Sequence, residues 1–328
     1  MSIITKLGYA VKPVCLAAAV AALAIGPAQA LDIRAATEVG AGGDLAILLE
    51  EFEKAAEAQG DDISVDVFTG GTLGTQRQLQ EQLVLGTIEV IATASDIVEL
   101  SDAFSIFDLP FLFTDPEHAH RAMDGKLGEQ LNQSLIDAQG VRVIAFGELG
   151  FRHITNSVRP IESPDDLQGL KIRVPSNQLR IDAFTALGAA PTPIAYSELY
   201  SALQQGVVDG QENPLPTIRE LSLWEVQDFV SMTYHVYTPG YILVNEAWWQ
   251  ELPDEARTRL AEAGRKAAEA QRARIAEVTA ELQAMAEEGV MKFNSPDLEP
   301  FAEHTRSVWQ TFEEAHGGEL IEAVESLR

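Results

Sequence analysis

The sequence has 328 residues, of which 22% are charged, and its formal net charge is −27 at neutral pH. Such an acidic chain lacks the basic surface that nucleic acid or an anionic membrane requires, so both partners are excluded. The length allows two domains of roughly 150 residues each.

The first 30 residues have the pattern of a secretory signal peptide. Lys6 and Lys12 precede an apolar run from Val14 to Ile25. The segment ends in Ala28-Gln29-Ala30, the small-residue pattern that a signal peptidase cleaves, so we expect export and cleavage after Ala30. The apolar run is shorter than the roughly 20 residues that a membrane-spanning helix needs. The only cysteine lies within it, so the mature chain has no thiol for disulfides or catalysis.

Strand and helix patterns alternate after the signal peptide. LDIRAATEV, DDISVDVFTGG and IEVIATAS have strand patterns, and helical spacing occurs from Asp44 to Gln59 and over TQRQLQEQLVLGT. This β-α-β-α-β order predicts parallel strands covered by helices. The glycine-rich GGTLGT lacks the lysine of a phosphate-binding loop and is predicted to be a turn.

An aromatic connector, DAFSIFDLPFLF, precedes the second half of the chain and is predicted to pack in the core. Its four aromatic residues are Phe104, Phe107, Phe111 and Phe113. A second β/α series begins at Arg152, with LKIRVP as a strand, two helices after it, and VDGQENP as a tight element. A helix from Leu252 to about Glu288 would be ~50 Å long, which favours a helix that lies across two domains.

Motifs typical of enzymes are absent from the sequence. His118 and His120 form an H-x-H pair, but side chains two residues apart on a helix diverge, so we expect solvated surface and no metal site. Asp209 and Glu212 in VDGQENP are a possible acid–base pair, but Asp-Gly is a turn signal, and we expect no catalysis. No cofactor is expected.

Two arginines are stronger candidates for ligand binding, since Arg152 and Arg173 lie near the ends of predicted strands. A guanidinium group offers a planar fork of donors that matches the two oxygens of a carboxylate. Ligands of open α/β sheets collect at the carboxyl ends of strands. The residues alone leave open whether each arginine binds a ligand or lies along the surface.

GLKIRVP, GAAPTPIAYSELYSALQQGVVDGQENP and GGTLG give the sequence a specific resemblance to a known family. They resemble the substrate-binding proteins of TRAP (tripartite ATP-independent periplasmic) transporters, the DctP family, and the similarity covers essentially the whole mature chain. The resemblance implies an α/β fold with two periplasmic-binding-protein-like lobes, a ligand cleft between them and a long helix spanning both. It also implies a non-enzymatic protein that captures an organic acid and delivers it to the small and large membrane subunits of a sodium-driven permease.

The resemblance also implies a division of the chain into lobes. Residues 31–150, with part of 239–280, are expected to form the first lobe, and residues 151–238, with 281–328, the second. The connecting helix is expected at about 253–288. We expect a periplasmic monomer that does not insert into the membrane.

Five ligand-binding residues are implied by the same resemblance. Arg173 of KIRVP matches the arginine that makes the bidentate bond to the ligand carboxylate, and Arg152 of GFRHITN matches a second arginine found in many branches. Asn213 of GQENP matches the asparagine that hydrogen-bonds the same end of the ligand. Tyr196 takes an aromatic position that walls the site, and Glu38 falls where the other end of the ligand is read.

The class of ligand is predicted from the far end of the site. Thr93-Ala94-Ser95 stands where the sialic-acid branch has charged residues, and Tyr196 stands where the ectoine branch tends to carry tryptophan. Glu38 would repel a second carboxylate and accept hydrogen bonds from hydroxyls. We therefore expect a hydroxylated monocarboxylate, such as a sugar acid, rather than a C4-dicarboxylate. Gln76 and Arg77, just after GGTLGT, leave one alternative open. Arg77 starts an amphipathic helix and is expected to be solvated, but a side chain that pointed inward would accept a distal acid group of the ligand.

Two other functions stay open at this point. A periplasmic hydrolase or lyase would use Asp209 and Glu212 with His153 or His235, and a structural protein would dimerise through the long helix. Incubation with candidate acids distinguishes an enzyme from a binding protein, because an enzyme converts the acid whereas a binding protein returns it unchanged.

Overall fold

The computed structural model describes residues 31–287 and 289–328, so the predicted signal peptide lies outside the described residues. Ten strands of the described chain belong to one mixed sheet. They are β1 Leu31–Ala36, β2 Ile63–Phe68, β3 Val90–Thr93, β4 Val141–Asn156, β5 Lys171–Val174, β6 Ala190–Pro193, β7 Gly210–Pro214, β8 Phe229–Ser231, β9 Tyr237–Asn245 and β10 Lys292–Asn294.

The α-helices among the described residues cover the faces of this sheet. They are α1 Asp44–Glu57, α2 Gln76–Val84, α3 Pro116–Met123, α4 Lys126–Gln139, α5 Gln178–Ala186, α6 Leu199–Gln204, α7 Leu215–Glu220, α8 Glu246–Glu251, α9 Asp254–Glu287, α10 Glu299–His304, α11 Arg306–His316 and α12 Glu319–Glu325. A search of the described residues finds none of these helices both long and apolar enough to span a bilayer.

The strand order is β2-β1-β3-β9-β4-β7-β5-β6, with β8 beside β4 and β10 beside β8. β1 is parallel to β2 and β3, so the predicted parallel β-α-β-α-β unit is confirmed. β5 is likewise parallel to β6 and β7. The antiparallel strands β4 and β9 join these two parallel groups, which makes the sheet mixed and the architecture two-lobed.

β4 runs without interruption through the predicted lobe boundary at 150/151. Its first part pairs with β9, and its last residues pair with β7 and β8. The pairing register with β9 shifts between Glu148 and Gly150, and Gly150 has φ 103°, a conformation that favours glycine. Bulges bend a strand and increase its twist, so β4 changes direction where it passes from one parallel group towards the other.

The VDGQENP stretch is a strand rather than the predicted tight element. Gly210 to Pro214 form β7, which is buried along its whole length and hydrogen-bonded between β4 and β5. The Asp-Gly turn signal is local, and pairing on both sides outweighs it. This correction places Glu212 and Asn213 in the centre of the sheet.

The long helix is confirmed as α9, with 34 residues. Leu260, Ala263 and Ala267 pack in one core cluster with residues of α1 and β1. Val278 and Leu282 pack in a different cluster with residues of α6 and α7. The helix therefore contributes to two separate cores. Gly264 allows its close approach to the sheet, since an added Cβ atom would lie 2.9 Å from the carbonyl oxygen of Ile144.

Three of the four aromatic residues of the connector pack in the core, as predicted, whereas Phe111 is only half-buried. Residues Asp102–Asp108 form a 3-10 helix, and Phe104, Phe107 and Phe113 are buried. The rings of Phe107 and Phe113 stack with centroids 5.5 Å apart. At the chain's end, α12 packs against α3 and α4, so the C-terminal segment also contacts elements of the predicted first lobe. The division into lobes stays a prediction.

Candidate ligand-binding site

A cavity lies between the carboxyl ends of β1 and β3 on one side and the strands β4, β5 and β7 on the other. It encloses about 540 Å³ of empty space, part of it open to solvent. All five predicted site residues line it: Glu38, Arg152, Arg173, Tyr196 and Asn213. The fold therefore brings together all five residues that were selected from the sequence.

Arg173 is held by its strand and keeps two donor groups free. β5 pairs with β6 and with β7, which fixes its backbone from both sides, and Pro175 follows its last residue. The Nε of Arg173 donates to the carbonyl oxygen of Ile194 at 2.8 Å, whereas no described residue accepts from its two Nη groups. The side chain is buried, and burial lowers its pKa to about 10 although Glu212 acts in the opposite direction. Both terminal nitrogens are available to an anion in the cavity.

Arg152 is almost fully engaged with protein groups. Its Nε and Nη2 donate to the carboxylate of Glu212, and Nη2 also donates to Oδ1 of Asn213 at 2.7 Å. Nη1 makes only a long contact of 3.4 Å with the hydroxyl of Thr238. Burial lowers the pKa of this guanidinium, and Glu212 opposes the shift. Arg152 therefore has one nitrogen to offer where Arg173 has two.

Glu212 is the centre of a buried ionic network behind the cavity. It also accepts from Nη1 of Arg180 at 2.7 Å and contacts Nε2 of His235 at 3.1 Å. Burial alone would raise the pKa of Glu212, but the charges of Arg152 and Arg180 outweigh it and hold the pKa well below its usual range. The carboxylate thus stays ionised and orients Arg152.

The residues of the hydrolase alternative do not line the cavity. Asp209 accepts from the backbone N–H of Lys171, and Glu212 is bound by two guanidinium groups. His153 is buried, and burial lowers its pKa to about 3. None of these groups, nor His235, is among the residues that line the cavity. The acid–base residues that the hydrolase alternative requires are therefore not at this cavity.

Asn213 and Tyr196 complete the wall near the arginines. The amide nitrogen of Asn213 donates to Oε1 of Gln211 at 2.5 Å, which leaves its second hydrogen unused. Tyr196 packs against the core cluster that contains α1 and β1. Its hydroxyl is buried and has no hydrogen-bond partner among the described residues.

The opposite side of the cavity is acidic. The carboxylate of Glu38 accepts from the backbone N–H of Gln76 at 2.9 Å, at the start of α2. Asp44 and Asp96 also line the cavity. Burial raises the pKa of Asp96 to about 6, and the charge of Arg173 opposes this. No described group donates to the Asp96 carboxylate, so it is available to a ligand hydroxyl.

The sequence reasoning missed Asp44, Asp96 and Thr217 as cavity residues. Asp96 comes three residues after the end of β3, and Asp44 begins the helix that follows β1. The rule that ligands collect at the carboxyl ends of parallel strands would have selected both. No sequence signal marks Thr217, which donates to Asp44 at 3.0 Å from α7.

Three further expectations concern residues outside the cavity. Arg77 is exposed and pairs with Glu81 at 3.3 Å, as expected for a solvated residue. The prediction of a solvated histidine pair is wrong, because α12 covers α3. His118 is fully buried with Nε2 3.0 Å from the carbonyl oxygen of Val324, and His120 contacts Glu148 at 2.9 Å. The described residues contain no group of three or more potential metal-ligating side chains.

Comparison with known proteins finds one family across the chain. The profile of bacterial extracellular solute-binding protein family 7 (DctP) matches residues 37–315. A solute-binding protein of Verminephrobacter eiseniae is 35% identical over 86% of this chain and 85% of its own length.

Two solved structures are similar over nearly the whole described fold. A TRAP periplasmic solute-binding protein of Polaromonas sp. JS666, bound to D-erythronate, has a TM-score of 0.86 and 32% identity over 90% of this chain and 98% of its own. One of Roseobacter denitrificans, with bound β-D-glucuronate, has a TM-score of 0.85 and 30% identity over 90% and 99%. Members of this family are non-enzymatic, periplasmic transport components that bind small acids and work with membrane permease subunits. The chain belongs to the DctP family of TRAP transporter solute-binding proteins.

Proposed function

We propose that this protein captures a hydroxylated monocarboxylate, such as a sugar acid, in the interlobe cavity. The observation that carries the proposal is the buried guanidinium of Arg173, whose two Nη groups are uncommitted in a cavity with acidic groups opposite. A buried charge without a partner is costly, and a carboxylate satisfies both nitrogens at once. The sugar acids bound by similar structures, D-erythronate and β-D-glucuronate, support this class of ligand.

Each residue of the cationic side has a proposed role. Arg173 binds the ligand carboxylate through two parallel hydrogen bonds. Arg152 adds a contact from Nη1, and Asn213 adds one from its unused amide hydrogen. The ring of Tyr196 walls the site. The network at Glu212 holds Arg152 in place before the ligand arrives.

The acidic side is proposed to recognise the part of the ligand that lies away from its carboxylate. Glu38, Asp44 and Asp96 are acceptors when ionised, so hydroxyl groups donate to them while a second carboxylate would be repelled. Arg77 is directed to Glu81 on the surface and does not line the cavity. The charge pattern thus favours a ligand with one acid group and several hydroxyls.

Transport follows from capture. We propose that the chain is exported, cleaved after Ala30 and present in the periplasm as a monomer. It closes on its ligand by bending at β4 and α9 and delivers it to the small and large membrane subunits of a TRAP permease. Intact-mass analysis of the periplasmic fraction tests the cleavage, and a mass that retains residues 1–30 would contradict it.

A thermal-shift screen of purified protein tests the ligand class. D-glucuronate, D-galactonate and D-erythronate are the expected stabilisers, because a ligand that binds only the folded state raises the melting temperature. Mass spectrometry after incubation is expected to recover the acid unchanged. Stabilisation by succinate or malate alone would contradict the reading of the acidic side, and turnover of an acid would contradict a pure binding role.

A further inference from the structure

Glu220, the last residue of α7, joins the two lobes next to the cavity. Its Oε1 accepts from the backbone N–H of Gly40, in the loop between β1 and α1, at 3.2 Å. The same carboxyl group lies against Gly43, where an added Cβ atom would be 2.6 Å from Cδ and from Oε2 of Glu220. A side chain of the predicted second lobe therefore packs on the segment that leads into the first helix of the predicted first lobe.

The second oxygen of this carboxyl group is left without a partner. Oε2 of Glu220 is buried and has no hydrogen bond among the described residues, and the same is true of the hydroxyl of Tyr196. The hydroxyl of Tyr196 lies beside the Glu220 carboxyl group, and its hydrogen-bonding effect lowers the pKa of Glu220. A protonated carboxyl group can donate to this hydroxyl, whereas an ionised one is a partly buried charge without a cation beside it, which is costly.

A second buried acid, Asp44, acts on the same carboxyl group. Asp44 is the first residue of α1 and is 2% exposed. It accepts from its neighbour Leu45 N–H at 2.7 Å and from the hydroxyl of Thr217 at 3.0 Å. Two hydrogen bonds and the N-terminus of a helix favour the ionised form of Asp44, so the pair places its proton on Glu220.

No cation among the described residues neutralises Glu220. Arg219 and Arg274 line the outer cavity that Glu220 also borders, but Arg219 pairs with Glu281 at 3.0 Å and Arg274 with Glu277 at 2.9 Å. The charge of Arg173 lowers the pKa of Tyr196, and the charge of Arg152 lowers the pKa of Asp44, but neither arginine affects the pKa of Glu220. Burial and the charge of Asp44 raise the pKa of Glu220 to about 8 against the opposing effects of Tyr196 and the Gly40 N–H, while burial raises the pKa of Asp44 to about 6.

We propose that Glu220 is a positioning residue for ligand capture, a neutral carboxyl group that holds the closed lobes together and leaves Asp44 as the anionic acceptor at the cavity. Opening of the lobes exposes Glu220 to water, where it ionises. Closure on a ligand therefore takes up one proton from solvent, which binds to the Glu220 carboxylate. This inference rests on the proposed function, because it assigns the protonation change that accompanies capture.

The sign of the pH dependence follows from linkage. The pKa of Glu220 is higher in the closed state than in the open state, so the titration of Glu220 makes the affinity fall as pH rises from 6.5 towards 8. Between the two pKa values the dissociation constant rises by up to about tenfold per pH unit, and above about pH 8 it becomes level. A ligand carboxylate is ionised throughout this range and adds no slope of its own.

The test is calorimetric titration of the full mature protein with D-glucuronate and with D-erythronate at pH 6.5, 7.5 and 9. Two buffers of different ionisation heat at each pH count the protons exchanged. We expect the wild type to take up close to one proton per ligand at pH 6.5 and 7.5, and none at pH 9. Glu220→Gln keeps an acceptor for Gly40 and gains a permanent donor. Between pH 7.5 and pH 9, above the pKa of about 6 of Asp44 and of Asp96, it is expected to bind with a dissociation constant independent of pH and without proton uptake.

Glu225→Gln is the matched control, since Glu225 is exposed and pairs only with the hydroxyl of Tyr200 among the described residues. It is expected to keep the wild-type slope and proton count. A wild type that binds without proton uptake, or a Glu220→Gln variant that keeps the slope, would overturn the inference while leaving the proposed function intact.

Failure of both acids to bind at any pH would contradict the proposed function instead. Small-angle scattering of the ligand-free protein then tests the inference by itself. The radius of gyration of the wild type is expected to increase between pH 5 and pH 8.5, as Glu220 ionises and the lobes separate, and that of Glu220→Gln to stay constant. Equal curves for the wild type at both pH values would overturn the inference.

Discussion

The two sides of the cavity are built by different means. Arg152, Arg173 and Asn213 lie on neighbouring strands whose backbones are hydrogen-bonded on both sides, and buried ion pairs hold one of the two guanidinium groups. Glu38 and Asp96 follow strands β1 and β3, on a loop and in a 3-10 helix, and neither is ion-paired among the described residues. From this difference we propose that the cationic side binds the carboxylate that many ligands share, while the acidic side selects among them.

Loss of the central charge of the rigid side is the largest effect we expect. Glu212→Gln leaves Arg152 and Arg180 buried with one fewer negative charge, and breaking such a buried pair costs ~3–5 kcal/mol of folding stability. Urea unfolding monitored by circular dichroism measures this. Glu262→Gln, which removes an exposed partner of Arg265 on α9, is the control and is expected to be neutral. Equal midpoints for the two variants would mean that the network does not support the rigid side.

The next effect concerns the free guanidinium of the same side. Arg173→Ala is expected to weaken binding of D-glucuronate by ~2–5 kcal/mol, since it removes one partner of a buried charged pair. Arg173→Lys is expected to restore little, because an ammonium group cannot make two coplanar hydrogen bonds. Calorimetry measures both. A lysine variant that binds like the wild type would contradict the bidentate contact.

Neutralising Asp96 on the acidic side is expected to raise the stability of the ligand-free protein and to lower its affinity for the ligand. Burial raises the pKa of Asp96 to about 6, above its unfolded value, so its ionisation costs stability that is regained as pH falls below 6. Asp96→Asn removes this cost, and we expect the ligand-free protein to melt at a higher temperature at pH 7. Affinity for a hydroxylated acid is expected to fall by ~1.5–3 kcal/mol if a hydroxyl donates to the carboxylate.

Two measurements check this trade of stability against affinity. The melting temperature of Asp96→Asn is expected to exceed that of the wild type by more at pH 7 than at pH 5, because the wild-type carboxylate is ionised at pH 7. Calorimetry with D-galactonate gives the affinity at pH 7. A variant with unchanged melting temperature and unchanged affinity would remove Asp96 from the site.

The same contrast explains what the sequence could predict. Strand and helix periodicity located β1 to β3 and α9, and the resemblance to the family, carried by stretches such as GLKIRVP, selected the cavity residues on the strands. These features are predictable because each is encoded in a continuous stretch. The strand β7 was not predicted, since its Asp-Gly signal is local while its pairing with β4 and β5 is not.

Features that depend on contacts between distant segments were not accessible from the sequence. The H-x-H spacing of His118 and His120 predicted a solvated pair, and only the packing of α12, about 200 residues later, buries His118. The ionic network at Glu212 joins α5, β4 and the segment before β9, and no pattern along the chain marks these groups as partners. Thr217 and Asp44 likewise meet only because α7 packs near the start of α1.

The smallest expected effect tests the limit of the acidic side. Arg77 follows Gln76, a cavity residue, but its own side chain is exposed and pairs with Glu81 at 3.3 Å, an exposed contact of little energetic value. Arg77→Ala is therefore expected to leave the affinity for D-glucuronate unchanged within about twofold, because the change removes no cavity group and the local charge effect is screened by salt. Calorimetry at physiological salt measures it, with Gln76→Ala as the comparison that does alter the cavity wall. A large loss of affinity in Arg77→Ala would show that this guanidinium turns inward on binding, and the acidic side would then hold a cation that accepts a second acid group.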